Sequence, residues 1–170
     1  VDKFNSKENR ENYALFVVSL TQRKGVKELI NVFESREEIL KIVGTGNLDK
    51  FQNDGSCEFL GKVSEERLIE LYQNCSYFVM PSRKEGFGLV WVEALASGKP
   101  VLATETGIGP EIPDYCGEII SPDYNIDELK EAVKRLERRD FDREKIRDFA
   151  VKNFDWDNIV EEYEEVYRNI

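Results

Sequence analysis

With 170 residues, a net charge of −10, and 41% hydrophobic and 34% charged side chains, the chain has the length and balance of one globular domain with a real core. Its acidity disfavours a nucleic-acid surface, which works by basic groups releasing counterions, but allows a small anionic ligand in a local positive pocket. No histidine is present, and the three cysteines lack C-x-x-C spacing; this removes the usual base for a serine or cysteine nucleophile, the commonest transition-metal ligand, a disulfide framework and a cysteine zinc site.

No apolar run approaches the roughly 20 residues that cross a bilayer. Val1-Asp2-Lys3-Phe4 has no apolar stretch resembling a secretion signal, so the cytoplasm is the expected compartment. Residues 1–12 are polar and charged and read as an interdomain linker or arm, leaving 13–170 as one domain. The β-branched and aromatic run Tyr13 to Leu20 suits a strand buried on both faces. Val26, Leu29, Ile30 and Phe33 then recur at helical spacing, predicting a helix over about 24–35.

Ile39 to Val43 reads as a second strand ending at Gly44-Thr45-Gly46, and Cys57 to Leu60 as a short third. Ser64 caps the next helix, with Glu65 and Glu66 favourably placed in its first turn. A fourth strand, Ser76 to Met80, stops at Pro81; a helix from Leu89 to Ser97 ends at Gly98. Val101 to Thr104 and Glu118 to Ser121 complete the strands. Asn125 opens a helix with Glu128 at the capping-box position. From about Asp142 the chain is helical and acidic: Glu161, Glu162, Glu164 and Glu165 form a solvated face, while Ile159, Val160, Tyr163, Val166 and Tyr167 are expected to pack. Alternating strands and helices of this kind predict an α/β fold, a doubly wound, Rossmann-like parallel sheet.

Ligands bind beyond the carboxyl ends of such strands. After strand one, Arg23-Lys24-Gly25 places positive charge beside a helix N-terminus, which suits a phosphate, although a solvated lysine is the blander reading. After strand four, Gly86 and Gly88 let the backbone approach a ligand, and the amides of Phe87 and Gly88 lie where they could donate to hydroxyl oxygens. Glu85 and Glu93 are acceptors suited to vicinal hydroxyls. Glu93 lies between Val92 and Ala94 in an apolar helix, so an unpaired carboxylate there would be costly and a partner is expected.

Glu85-Gly-Phe-Gly-Leu-Val-Trp-Val-Glu93 resembles the E-x₇-E motif of the large retaining glycosyltransferase family 4, of GT-B fold. Five further segments resemble that family in order: Ile42-Val43-Gly44-Thr45-Gly46, Phe59-Leu60-Gly61-Lys62-Val63-Ser64, Ala94 to Val101, Gly107-Ile108-Gly109-Pro110-Glu111 and Phe154-Asp155-Trp156. The resemblance covers nearly the whole chain and implies the C-terminal half of a two-domain enzyme. It implies that Lys24 binds the diphosphate of a nucleotide-sugar donor. Glu85 would hold sugar hydroxyls beside the backbone of Gly86, Phe87, Gly88 and Leu89, and Glu93 the ribose, with the base lying against Lys62 and Val63. Lys24 and Glu85 would be the catalytic pair, with neither metal nor cofactor. The partner implied is the N-terminal GT-B domain of the same protein, which would hold the acceptor and carry any membrane contact.

Two departures from the family pattern stand out. Val18-Ser19 occupies the place of the usual Gly-Arg, with Arg23 the candidate substitute, and Ile108 stands where a second glycine is usual.

Three other readings carry less. Asp140-Phe-Asp142 and Asp155-Trp-Asp157 fit a metal-binding D-x-D pattern but sit at helix boundaries, where aspartate caps. Gly44-Thr-Gly46 and Gly86-Phe-Gly88 lack the third glycine of a dinucleotide site. A non-catalytic binding or scaffold domain that kept the fold is the alternative from another class.

Overall fold

The computed structural model describes residues 12–18, 24–34, 36–46 and 55–168, without the side chains of Glu162 and Glu165. The expected arm therefore lies outside the described residues except for the exposed Asn12. Six strands, β1 (Tyr13–Val17), β2 (Ile39–Val43), β3 (Cys57–Gly61), β4 (Tyr77–Val79), β5 (Val101–Thr104) and β6 (Gly117–Ile120), form one sheet in the order β3-β2-β1-β4-β5-β6. All five pairings are parallel. Three of the four inner strands, β1, β4 and β5, are buried at every position, which is why they read as unbroken apolar runs rather than alternating ones. Charge enters on the other three strands. Lys41 of β2 lies 4.0 Å over the Tyr13 ring, and Glu118 of β6 accepts from Arg135 and Arg139, each at 2.9 Å.

Helices α1 (Val26–Phe33), α2 (Glu65–Asn74), α3 (Leu89–Ala96), α4 (Ile126–Arg138), α5 (Arg143–Phe154) and α6 (Trp156–Arg168) cover the sheet. From β1 the chain moves outward through β2 to β3, and from β4 it moves the other way through β5 to β6. Right-handed crossovers therefore put the two sets of connecting helices on opposite faces. α1 packs beside α4, and α3 beside α5. Both predicted caps form: Ser64 accepts from the Arg67 amide at 3.3 Å, and Asn125 with Glu128 makes a complete capping box. Among the described residues no helix is long and apolar enough to cross a membrane.

Three expectations need correction. The first strand ends at Val17, and the chain bends at Val18, where Gly44 comes against it: a Cβ on Gly44 would lie 1.6 Å from the Val18 carbonyl oxygen, while Ser19 and Leu20 lie outside the described residues. The first helix starts at Val26, because Gly25 adopts a left-handed φ of 75° at its N-cap. The largest correction concerns α6. Ile159 is half-buried, but Val160, Tyr163, Val166 and Tyr167 are exposed at 47–76%, as is Trp156 at 75%. Periodicity identified residues that share a face, but nothing in the described chain covers that face. One aspartate of each D-x-D pair acts as a cap. Asp142 accepts from the Lys145 amide at 3.1 Å, and Asp155, between α5 and α6, accepts from the Asp157 amide at 3.1 Å.

At the N-terminal edge of the sheet, the Tyr77 hydroxyl meets the carboxyl groups of both Glu38 and Glu137, and Arg36 pairs with Glu137. A phenol has a single proton to donate, so the second contact calls for a proton on a carboxyl. Burial, aided by the Glu137 carboxylate, pushes Glu38 from 4.5 up to about 7. A group raised in the folded state favours folding at low pH, and that contribution is lost as pH rises through its folded value. Wild type should therefore lose thermal stability relative to Glu38→Gln between about pH 4.5 and about pH 7, where the unfolded carboxyl is ionised and the folded one still holds its proton. Parallel unfolding temperatures across that range would show that Glu38 titrates normally.

Candidate functional site

The order of the sheet reverses between β1 and β4, the position where open α/β sheets form their ligand crevice. Lys24 sits in the connection from β1 to α1, and Glu85 in the loop from β4 to α3. The two side chains form an ion pair across this point, each about four-fifths buried. The other Glu85 oxygen accepts the Gly86 amide at 3.2 Å. They line a cleft of about 300 Å³ together with Val17, Val18, Met80, Phe87, Gly88, Leu89 and Val90. Cavities of about 570 and 630 Å³ lie elsewhere, at the N-terminal sheet edge and beside β6. The smaller cleft is the better candidate because, of the three, it is the one at the switch point between β1 and β4.

The loop around Glu85 is held from several sides. Thr104 donates to the Ser82 carbonyl at 2.6 Å, and the Ser82 hydroxyl donates to the Lys84 carbonyl at 3.0 Å. Gly88, with φ of 102°, is the N-cap of α3 and packs directly on the buried Trp91 ring. Behind the loop, the Ile108 amide donates to the Phe87 carbonyl at 2.8 Å. Ile108 is only 3% exposed, so it is part of the loop's support. Phe87 and Leu89 are exposed beside the cleft at 48% and 65%.

Glu93 lies apart from that cleft. Its partner, expected from sequence, is Tyr72 of α2, whose hydroxyl donates to Glu93 at 2.9 Å. Burial, reinforced by Glu65, raises the Glu93 carboxyl against the lowering effect of that hydrogen bond. Lys62 is exposed and Val63 half-buried, immediately before α2. The sequence candidates therefore fall into two groups: Lys24 and Glu85 in the cleft with Gly88, Phe87 and Leu89, and Glu93 facing the α2 side where Lys62 and Val63 lie. Arg23 and Ser19 lie outside the described residues.

Sequence reasoning missed Arg83 and Tyr124. The Arg83 guanidinium stacks 4.2 Å from the Tyr124 ring, and the Tyr124 hydroxyl donates to the Pro81 carbonyl at 2.9 Å. An aromatic residue in the polar run Pro122-Asp-Tyr-Asn125, off any helical or strand period, was the available signal.

A Rossmann-like sheet of this order, with its crevice at the switch point, is the half-molecule architecture of GT-B glycosyltransferases. Sucrose-phosphate synthase from Thermosynechococcus elongatus superimposes with a TM-score of 0.79 at 22% identity, covering 99% of this chain and 50% of that one. TarM of S. aureus, in a variant solved with fondaparinux, alpha-GlcNAc-glycerol and UDP, gives 0.78 at 20% identity over 98% of this chain and 38% of that one. In sequence, the profile of Glycosyl transferases group 1 matches residues 1–153, and the chain belongs to this family. An uncharacterized glycosyltransferase of Methanocaldococcus jannaschii is 33% identical over 94% of this chain and 48% of its own length. The chain spans about half the length of the curated relatives it matches.

Proposed function

We propose that this chain is the nucleotide-sugar-binding half of a retaining family 4 glycosyltransferase. The observation that carries the reading is the convergence of Lys24 and Glu85, 61 positions apart in sequence, in one cleft at the switch point. Lys24, with Arg23 beside it, binds the donor's diphosphate, and Glu85 accepts from hydroxyls of the transferred sugar. The amides of Phe87 and Gly88 donate to the same sugar, with Gly86 and Leu89 completing the wall. Glu93 accepts from the ribose, and the base rests against Lys62 and Val63. Charge develops on the departing diphosphate, so fixed positive groups lower the barrier without a metal. The UDP in the TarM complex supports a nucleotide donor.

Acceptor binding belongs, in this reading, to an N-terminal domain of the same protein, as does the active-site histidine for which this chain has no substitute. The half-length match to relatives supports that, as does the aromatic stripe of α6, which nothing in the described chain covers. The isolated chain should bind donor and transfer nothing. Ser19 in place of the usual arginine favours the other reading, a non-catalytic domain that kept the fold.

Calorimetric titration with UDP, GDP and ADP, and then with their sugar conjugates, tests the proposal. One nucleotide should bind selectively, and Glu93→Gln, which leaves an acceptor for Tyr72, should weaken it about tenfold by losing a charge-assisted bond. Unchanged affinity in that variant would remove Glu93 from the site. Silence from every nucleotide, in this chain and in the full-length protein, would favour the scaffold.

A further inference from the structure

We propose that Tyr124 is a positioning residue for this site, fastening the segment that carries Lys24 to the loop that carries Glu85. The inference rests on the donor-site reading for its consequence, but its geometry is independent of any ligand. Tyr124 lies in the connection from β6 to α4, remote from both groups in sequence, and is 2% exposed. Its hydroxyl donates to the Pro81 carbonyl at 2.9 Å, at the root of the Glu85 loop. Against that hydroxyl stands Gly25, the residue after Lys24. A Cβ there would lie 2.7 Å from the Tyr124 hydroxyl oxygen and 2.9 Å from the Pro81 carbonyl oxygen. The three segments therefore touch with no room for a methyl group between them.

Arg83 closes the arrangement from the solvent side. It stacks on the Tyr124 ring and donates to the carbonyls of Pro122 at 2.9 Å and Tyr124 at 3.2 Å. It also reaches Glu28, in the first turn of α1, at 3.5 Å. The β4–α3 loop is thus bound to the β6–α4 connection at two places, Pro81 and Arg83, while the same connection braces the start of α1. Burial pushes the Tyr124 hydroxyl up to about 12, so it remains a donor throughout the physiological range. A ring that only filled core volume would need neither this hydroxyl bond nor the guanidinium above it. Here both polar contacts run to the loop that presents Glu85, and the steric contact runs to the residue beside Lys24.

A double-mutant cycle separates positioning from packing. Tyr124→Phe keeps the ring and the Arg83 stack and should unfold within a few degrees of wild type. Its affinity for the nucleoside diphosphate that wild type binds should fall about fivefold, as expected for one hydrogen bond lost at a distance. In a Lys24→Ala background the same change should cost nothing further. Arg83→Gln, at an exposed position, should show the same pattern and serves if Tyr124→Phe folds poorly. Wild-type affinity in both variants, or a loss that adds fully to that of Lys24→Ala, overturns the proposal.

A second measurement needs no ligand. The ¹H–¹⁵N signal of the Lys24 ammonium, kept from fast exchange by Glu85, should broaden in Tyr124→Phe. If wild type binds no nucleotide, the donor-site reading fails, and this signal still decides the positioning role: its persistence in the variant refutes it.

Discussion

Lys24→Ala should lower the affinity for a nucleoside diphosphate by about 10- to 100-fold, while moving the unfolding temperature only slightly. A charge-assisted hydrogen bond contributes about 1.5–3 kcal/mol, and each 1.4 kcal/mol or so is a tenfold change in affinity. The ammonium already stands in the cleft, about four-fifths buried, on Glu85, so little ordering remains when a diphosphate arrives. Lys24→Arg should recover only part of the loss, because a planar fork does not reproduce a compact ammonium at the same point. Titration of each variant with the nucleotide that wild type prefers checks this. Binding of Lys24→Ala at wild-type strength would place the phosphates somewhere else.

Gly88→Ala should be the most damaging single-methyl change in the loop. A Cβ at this position would stand 2.2 Å from Trp91 Cε3 and 2.7 Å from Cζ3, and Trp91 is fully buried. The φ of 102° adds a left-handed strain that glycine alone escapes. Overpacking of about 1–3 kcal/mol together with left-handed strain of about 1–2 kcal/mol gives a loss near 3 kcal/mol. For a domain of this size that corresponds to a fall of roughly 6–12 °C in Tm. Two positions earlier, a Cβ on Gly86 would have no atom within 4 Å of it, so Gly86→Ala should change stability by less than about 0.5 kcal/mol. Thermal melts of the two variants side by side decide the matter, and equal melting would contradict the tight packing of Gly88 against the Trp91 ring.

What the sequence could reveal depended on distance along the chain. The strands were legible because both faces of β1, β4 and β5 are covered, leaving uninterrupted apolar runs. The caps at Ser64 and Asn125 were legible because every partner lies within three residues. For Glu93, burial among apolar neighbours foretold a partner, yet its identity as Tyr72 depended on how α3 meets α2. The pairing of Lys24 with Glu85 likewise required the sheet order, which no local pattern encodes. In α6, spacing showed that Val160, Tyr163 and Tyr167 share a stripe, but spacing is blind to whether anything lies against it. Tyr124 belongs to no period at all; its role exists only where three connections meet.

The sheet order also divides the route by which this chain can fold. β1 to β3 make one run of neighbouring pairs and β4 to β6 another, each assembled from strands close in sequence. Among the described residues one strand pairing joins the two halves of the sheet, a seam where Ala14 and Leu15 meet Tyr77 and Phe78. Loop closure is costly before distant contacts reward it, so pairing across this seam should come late and limit the rate. The crevice proposed for the donor opens on that same seam, and neither half contains it alone. A chain stalled with both halves formed would hold most of its secondary structure and no ligand site, so recovery of nucleotide binding should lag behind recovery of helical signal during refolding.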